Sequence, residues 1–168
     1  MNNSINQIDF SGKTILVTGG TRGIGKQIAD DLVDLGASLI LTGTNEGEIK
    51  QLNERAMANK IDKAYYAVNF VKENQFRSFE KELDKYKKID GLVNNAAINR
   101  LNNIQNIEKD DWNDMVKVNL TTPVKLLNII SKKMIDQKYG RVVNIASIFG
   151  IISKEKRVAY SSTKFGVH

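Results

Sequence analysis

The sequence contains no cysteine and one histidine, His168. Without thiols there is no disulfide framework, no thiolate metal site and no cysteine nucleophile. A single imidazole at a terminal position builds no histidine metal cluster, and it would give a Ser-His-Asp triad only a chain terminus as support. Proline occurs once, at Pro123, and no segment rich in Pro or Gly divides the chain. The longest apolar runs, such as Thr14-Ile15-Leu16-Val17 and Val142-Val143, are far too short to span a bilayer. The opening stretch MNNSINQIDF has no basic segment followed by an apolar one, so no export signal is expected and a cytoplasmic location is. Internal repeats and low-complexity tracts are also missing.

What is present suits one ordinary domain, residues 1–168, with 41% hydrophobic and 26% charged residues. The net charge of +6 raises the question of nucleic acid. However, Lys and Arg are interleaved with Glu and Asp, as from Lys81 to Lys88, and no basic block alternates with aromatics. Neither a nucleic acid nor a membrane is the expected partner. An anionic small molecule accounts for the surplus equally well.

Short apolar runs alternate with helical patterns. Strands are expected at Lys13–Thr18, Ala37–Thr42, Ala64–Val68, Asp90–Asn95 and Arg141–Ser147. Between them, residues 23–35 place Ile24, Ile28, Leu32 and Leu35 on one helical face, and Gly36 stops that helix. Further helices are expected over Glu46–Asn59, Glu73–Lys87, Trp112–Gln137 and from near Val158. Strands apolar throughout and alternating with helices predict an α/β fold: a doubly wound, Rossmann-type parallel sheet, in the order 3-2-1-4-5. Ligands of such sheets bind beyond the carboxyl ends of the strands.

The segment TGGTRGIG, Thr18–Gly25, joins the first strand to the first helix. Glycines there permit positive φ and close approach of a ligand, and the helix N-terminus beyond offers free N–H groups to a pyrophosphate. The spacing G-x-x-x-G-x-G is neither G-x-G-x-x-G nor a P-loop, since Gly25-Lys26 runs into Gln27. It resembles the short-chain dehydrogenase/reductase family. The resemblance implies that Thr18, Gly19, Gly20, Thr21, Arg22, Gly23, Ile24 and Gly25 bind the pyrophosphate and adenosine ribose. The stretch after the second strand, Thr42-Gly43-Thr44-Asn45, has no acid to bind a ribose 2′-hydroxyl. Arg22 stands where NADP-preferring members of the family often carry a basic residue, and a guanidinium suits a phosphate. NADP(H) is therefore expected ahead of NAD(H), with Thr42 also in contact.

Other motifs follow in the family's order. NNAA, Asn94–Ala97, is similar to the family's Asn-Asn-Ala-Gly, which implies that Asn95 and Ala96 line the cofactor site; Ala97 departs from the glycine. Asn69, in VNF, matches a position near the adenine. Asn119 lies four residues before Pro123, whose missing N–H leaves the Asn119 carbonyl without its i+4 donor, so a bend is expected there. The resemblance assigns that carbonyl to a water linking the catalytic lysine to solvent. Ser147 closes the fifth strand, and Tyr160 and Lys164 follow in YSSTK, sharing one helical face.

The resemblance implies hydride transfer between nicotinamide and a carbonyl or secondary alcohol. Tyr160 exchanges the proton with the substrate oxygen, Ser147 hydrogen-bonds the same oxygen, and Lys164 binds the nicotinamide ribose. An ammonium about 4 Å from a phenolate is worth roughly 4 kcal/mol at an effective dielectric of 20, enough to bring a phenol from about 10 toward about 7. Members of the family continue through two further strands. The resemblance thus implies that residues 1–168 are the N-terminal portion of a longer domain, homo-oligomeric at full length, with the fifth strand left at a sheet edge. The glycine loop and the NNAAINR segment look most like 3-oxoacyl-acyl-carrier-protein reductases. Alternatives are a sugar dehydrogenase of the family, a catalytically inactive nucleotide-binding regulatory module on the same fold and, ranked low, a sugar-nucleotide epimerase.

Overall fold

The computed structural model describes residues 8–168. The stretch MNNSINQ, part of the segment read for an export signal, lies outside the described residues.

Five parallel strands form one sheet, β1 (Thr14–Val17), β2 (Ser38–Gly43), β3 (Lys63–Ala67), β4 (Gly91–Asn94) and β5 (Arg141–Asn144), in the order β3-β2-β1-β4-β5. That is the expected topology. The register sets Val17 beside Leu41 and Val93, so the ends of the central strands lie level. Helices α1 (Gly23–Asp34), α2 (Glu46–Ala58) and α3 (Glu73–Asp84) alternate with the strands. Next come α4 (Lys109–Val116), a π turn (Lys117–Thr121) and α5 (Thr122–Asp136), and finally α6 (Val158–Phe165).

Successive side chains of a strand point to opposite faces, and the core divides accordingly. Ile15, Val17, Leu39, Leu41 and Val93 pack with Ala29 of α1. Leu16, Ile40 and Leu92 face the other way and pack with Phe76, Phe79 and Leu83 of α3 and Leu126, Ile130 and Met134 of α5. Both faces of β1, β2 and β4 are therefore apolar, the sequence signature that predicts a covered parallel sheet. β5 forms one edge, with Val142 and Val143 38% and 49% exposed.

Four details depart from expectation. Ile24, placed on the buried face of α1, is 66% exposed, because the first turn of that helix overhangs a cleft and not the sheet. The helix expected from Trp112 begins at Lys109, whose polar first turn carries no apolar periodicity. β5 ends at Asn144, three residues early. At Pro123 the helix answers the missing N–H with the wide turn Lys117–Thr121, in which Thr122 N–H reaches back to the Lys117 carbonyl.

Candidate active site

The carboxyl ends of β1–β4 open into a cleft of about 640 Å³. Its floor is the turn between β1 and α1, and one buried hydroxyl shapes that turn. Thr18 Oγ1 accepts the N–H groups of Asn95 and Ala96, both at 3.0 Å. In return, Asn95 Nδ2 donates to the carbonyls of Thr18 at 2.9 Å and Gly19 at 3.2 Å. Gly19 N–H donates to Thr42 Oγ1 at 3.1 Å. The loop is thus clamped from β4 on one side and β2 on the other. Gly19 has φ +65°, where only glycine is unstrained, and a Cβ on Gly25 would collide with the Gly19 carbonyl and the Asn95 amide.

The N-terminus of α1 is left open to a ligand. Arg22 is its cap, without a side-chain hydrogen bond, and the first turn holds no acid. Four backbone N–H groups at a helix start lack intrahelical partners, and together with the macrodipole they attract anions. Gly19, Thr21, Arg22, Gly23, Ile24, Gly25, Thr42, Asn69, Asn95 and Ala96 all line the cleft. Thr18 and Gly20 do not; they are buried beneath it as its support. Asn45, Glu48, Phe70, Val71, Ile98 and Val118 line it as well. For all but Val118 the signal was position alone, the few residues after β2, β3 and β4; Val118 comes from the π turn and had no local signal. Asn69 Oδ1 accepts Val71 N–H at 3.0 Å and so turns the chain at the cleft wall. Ala97 is not among the described residues with positive φ, so this turn accepts alanine without strain.

Ser147, Tyr160 and Lys164 stand beside the cleft, not in its wall. Ser147 Oγ accepts Phe149 N–H at 3.2 Å and starts a 3₁₀ turn over Ile148–Gly150. That turn packs on α6, where Gly150 abuts the Lys164 backbone. Lys164 is 3% exposed, and its Nζ donates to the Ile145 carbonyl at 2.6 Å. Burial holds this ammonium below the ordinary lysine range. It lies 5.9 Å from the centre of the Tyr160 ring. Asn119 is 1% exposed and its side chain is saturated: Oδ1 accepts Ile98 N–H at 2.8 Å, and Nδ2 donates to the Ile98 carbonyl at 2.8 Å and to Thr163 Oγ1 at 3.1 Å. Downstream of Ile98, Arg100 pairs with Asp111 and, at 2.9 Å, with Asp114, fastening the segment after β4 to α4.

A glycine turn clamped between two strands, an uncapped helix start, a serine in the turn after β5 and a tyrosine and lysine on α6 are accompanied by a family match: the sequence model described as short chain dehydrogenase matches residues 13–168. The chain belongs to that family. It is 38% identical over 164 residues to the 3-oxoacyl-acyl-carrier-protein reductase of Aquifex aeolicus, covering 96% of this chain and 66% of that enzyme. Its backbone superimposes with TM-score 0.86, at 30% identity, on a 3-oxoacyl (acyl-carrier-protein) reductase from Agrobacterium tumefaciens with NADP bound, covering 97% of this chain and 63% of the other. A gluconate 5-dehydrogenase from Burkholderia cenocepacia, in complex with NADP and tartrate, gives TM-score 0.85 at 28% identity, with 96% and 64% covered. The chain thus spans slightly less than two thirds of the length of these relatives. Among the described residues no helix is long and apolar enough to cross a membrane, and no group of His, Asp and Glu is placed to hold a metal ion.

Proposed function

We propose that the chain carries the NADP(H) site and the proton-transfer residues of a carbonyl reductase or alcohol dehydrogenase, with a 3-oxoacyl thioester as the favoured substrate class. The observation that carries the reading is the cleft itself: an anion-ready helix start with Arg22 at its rim and no acid in the Thr42–Asn45 segment. A pyrophosphate fits against the N–H groups that follow Gly19, where the absence of side chains leaves room. Arg22, which lines the cleft, pairs with the 2′-phosphate in this reading, as a planar fork of donors does. NADP bound to the Agrobacterium and Burkholderia proteins supports the same assignment.

The bound dinucleotide supplies the hydride or receives it. Everything else is done by the chain. Tyr160 gives its phenolic proton to the substrate oxygen, and takes one back in the oxidative direction. Ser147 serves as a donor to the same oxygen: because its Oγ already accepts Phe149 N–H, its own proton is free to point outward. Lys164 holds the positive charge that favours the phenolate and offers donors to the ribose. Asn119 fixes the wall at Ile98 against α6.

The test is oxidation of NADPH, followed at its near-ultraviolet absorbance, with a panel of β-keto esters and thioesters. Turnover that Tyr160→Phe abolishes, with NADPH binding retained, is the expected result. Near-normal turnover in that variant refutes the role of Tyr160. One observation favours a second reading, a nucleotide-binding module without catalysis: the Lys164 ammonium is engaged by the Ile145 carbonyl. NADPH binding with no turnover on any carbonyl in the panel would select it.

A further inference from the structure

Thr163, the partner of Asn119 on α6, is 1% exposed, and its hydroxyl touches two elements at once. It donates to the Tyr160 carbonyl at 2.7 Å and accepts from Asn119 Nδ2 at 3.1 Å. A threonine bonding a carbonyl one turn back is ordinary in helices. An amide from a different helix ending on the same buried oxygen is not part of that habit.

The direction of every proton in this network follows from its fixed end. The backbone of Ile98 has one N–H that only donates and one carbonyl that only accepts. Facing both at 2.8 Å, the Asn119 amide has a single orientation, Oδ1 to the N–H and Nδ2 to the carbonyl. The second proton of Nδ2 then goes to Thr163 Oγ1, so the threonine must send its own proton elsewhere, and the Tyr160 carbonyl receives it. An unbroken, one-way chain of hydrogen bonds therefore runs from the cleft wall at Ile98, through the π turn, to the residue whose phenol is the proton donor.

We propose that Thr163 is a positioning residue: through Asn119 it ties the turn of α6 bearing Tyr160 to the cleft wall at Ile98, holding the phenol at a fixed distance from the nicotinamide end of the cleft. The inference rests on the reading of Tyr160 as proton donor. A displacement of about 1 Å at a reacting group costs on the order of a hundredfold in rate, so this tether belongs to the reaction although it touches neither substrate nor cofactor.

The test uses the whole chain and two variants. Thr163→Val keeps the shape and removes both bonds; Thr163→Ser keeps the hydroxyl. The first readout is the exchange rate of the Ile98 amide hydrogen by NMR, relative to the Leu16 amide in the central strand, which corrects for global stability. Thr163→Val is expected to raise that ratio by roughly tenfold or more, and Thr163→Ser by no more than about twofold. An unchanged ratio in Thr163→Val, or equal effects of the two variants, overturns the proposal. Should Thr163→Val not fold, Thr163→Ala removes the same hydroxyl with less bulk and is read in the same way. The second readout is kinetic: kcat falls roughly tenfold or more in Thr163→Val while NADPH affinity stays within about threefold, and Thr163→Ser recovers the rate. An unaltered kcat in Thr163→Val also overturns it. If the unmutated chain shows no turnover, the proposed function fails, and the Ile98 exchange ratio still decides the tether.

Discussion

Replacing Thr18 with valine keeps its volume and deletes one oxygen. That oxygen is 2% exposed as part of its residue and accepts two backbone N–H groups, from Asn95 and Ala96. A buried donor left without an acceptor costs about 1–3 kcal/mol, so two cost about 2–6 kcal/mol. Asn95 and Ala96 are only half-buried, and water reaches them in part, which puts the loss near the low end, about 2–3 kcal/mol. For a chain of this size that is a fall in Tm of about 4–12 °C. Urea unfolding followed by circular dichroism measures it, with Thr18→Ser as the control. Serine retains the acceptor and loses one methyl, about 1 kcal/mol. The dissociation constant for NADPH rises in Thr18→Val, because Asn95 and Ala96 line the cleft. If Thr18→Val lies within about 0.5 kcal/mol of the parent, a difference typical of a neutral surface change, the hydroxyl is not a clamp. Equal losses in the valine and serine variants would mean that the oxygen contributes no more than the methyl, and the clamp would be refuted.

Other expectations follow from the same geometry. Gly25→Ala forces apart the Gly19 carbonyl and the Asn95 amide; it costs about 1–3 kcal/mol by overpacking, and titration calorimetry should find NADPH binding weakened by about tenfold or more. Arg22→Ala lowers affinity for NADPH about tenfold while that for NADH moves no more than about twofold; equal losses would remove Arg22 from 2′-phosphate recognition. Lys164 titrates below an ordinary lysine because it is buried, so the folded state binds fewer protons than the unfolded one, and stability gains from this group as pH rises from the lowered value toward about 10.5. Lys164→Met lacks that gain, so the stability difference between parent and variant shifts in favour of the parent as pH rises from the lowered value toward about 10.5; parallel profiles in urea unfolding across the alkaline range would refute it.

Legibility in the sequence tracked how local the cause was. TILV, SLILTG and GLVN are apolar on both faces, and strands and sheet type could be read from them, while the order came from the Rossmann-type pattern of the whole chain. The cleft-lining glycines and Arg22 were equally visible, since a loop between a strand and a helix is a local object. β5 was read as running to Ser147 because residues 141–147 continue its pattern. It stops at Asn144 because the carbonyl of Ile145 turns to the ammonium of Lys164 and Ser147 turns to cap the 3₁₀ segment, partners supplied from outside the strand. Pro123 announced a disturbance but not its form: a bend was expected, and a widened turn is what formed. Nothing local to Asn119 or Thr163 says that the two meet, since they are 44 positions apart.

The same non-locality governs the glycine turn. Thr18 and Asn95, which hold it in shape, are 77 residues apart. A partly folded chain with β1, α1 and β2 assembled would own every glycine of the turn and still lack its form, because β4 has yet to dock. Closing so long a segment is slow compared with helix formation. Competence to bind a dinucleotide should therefore arrive late in folding and vanish early in unfolding, and a bound dinucleotide would draw the whole β1–β4 unit toward the folded state by mass action.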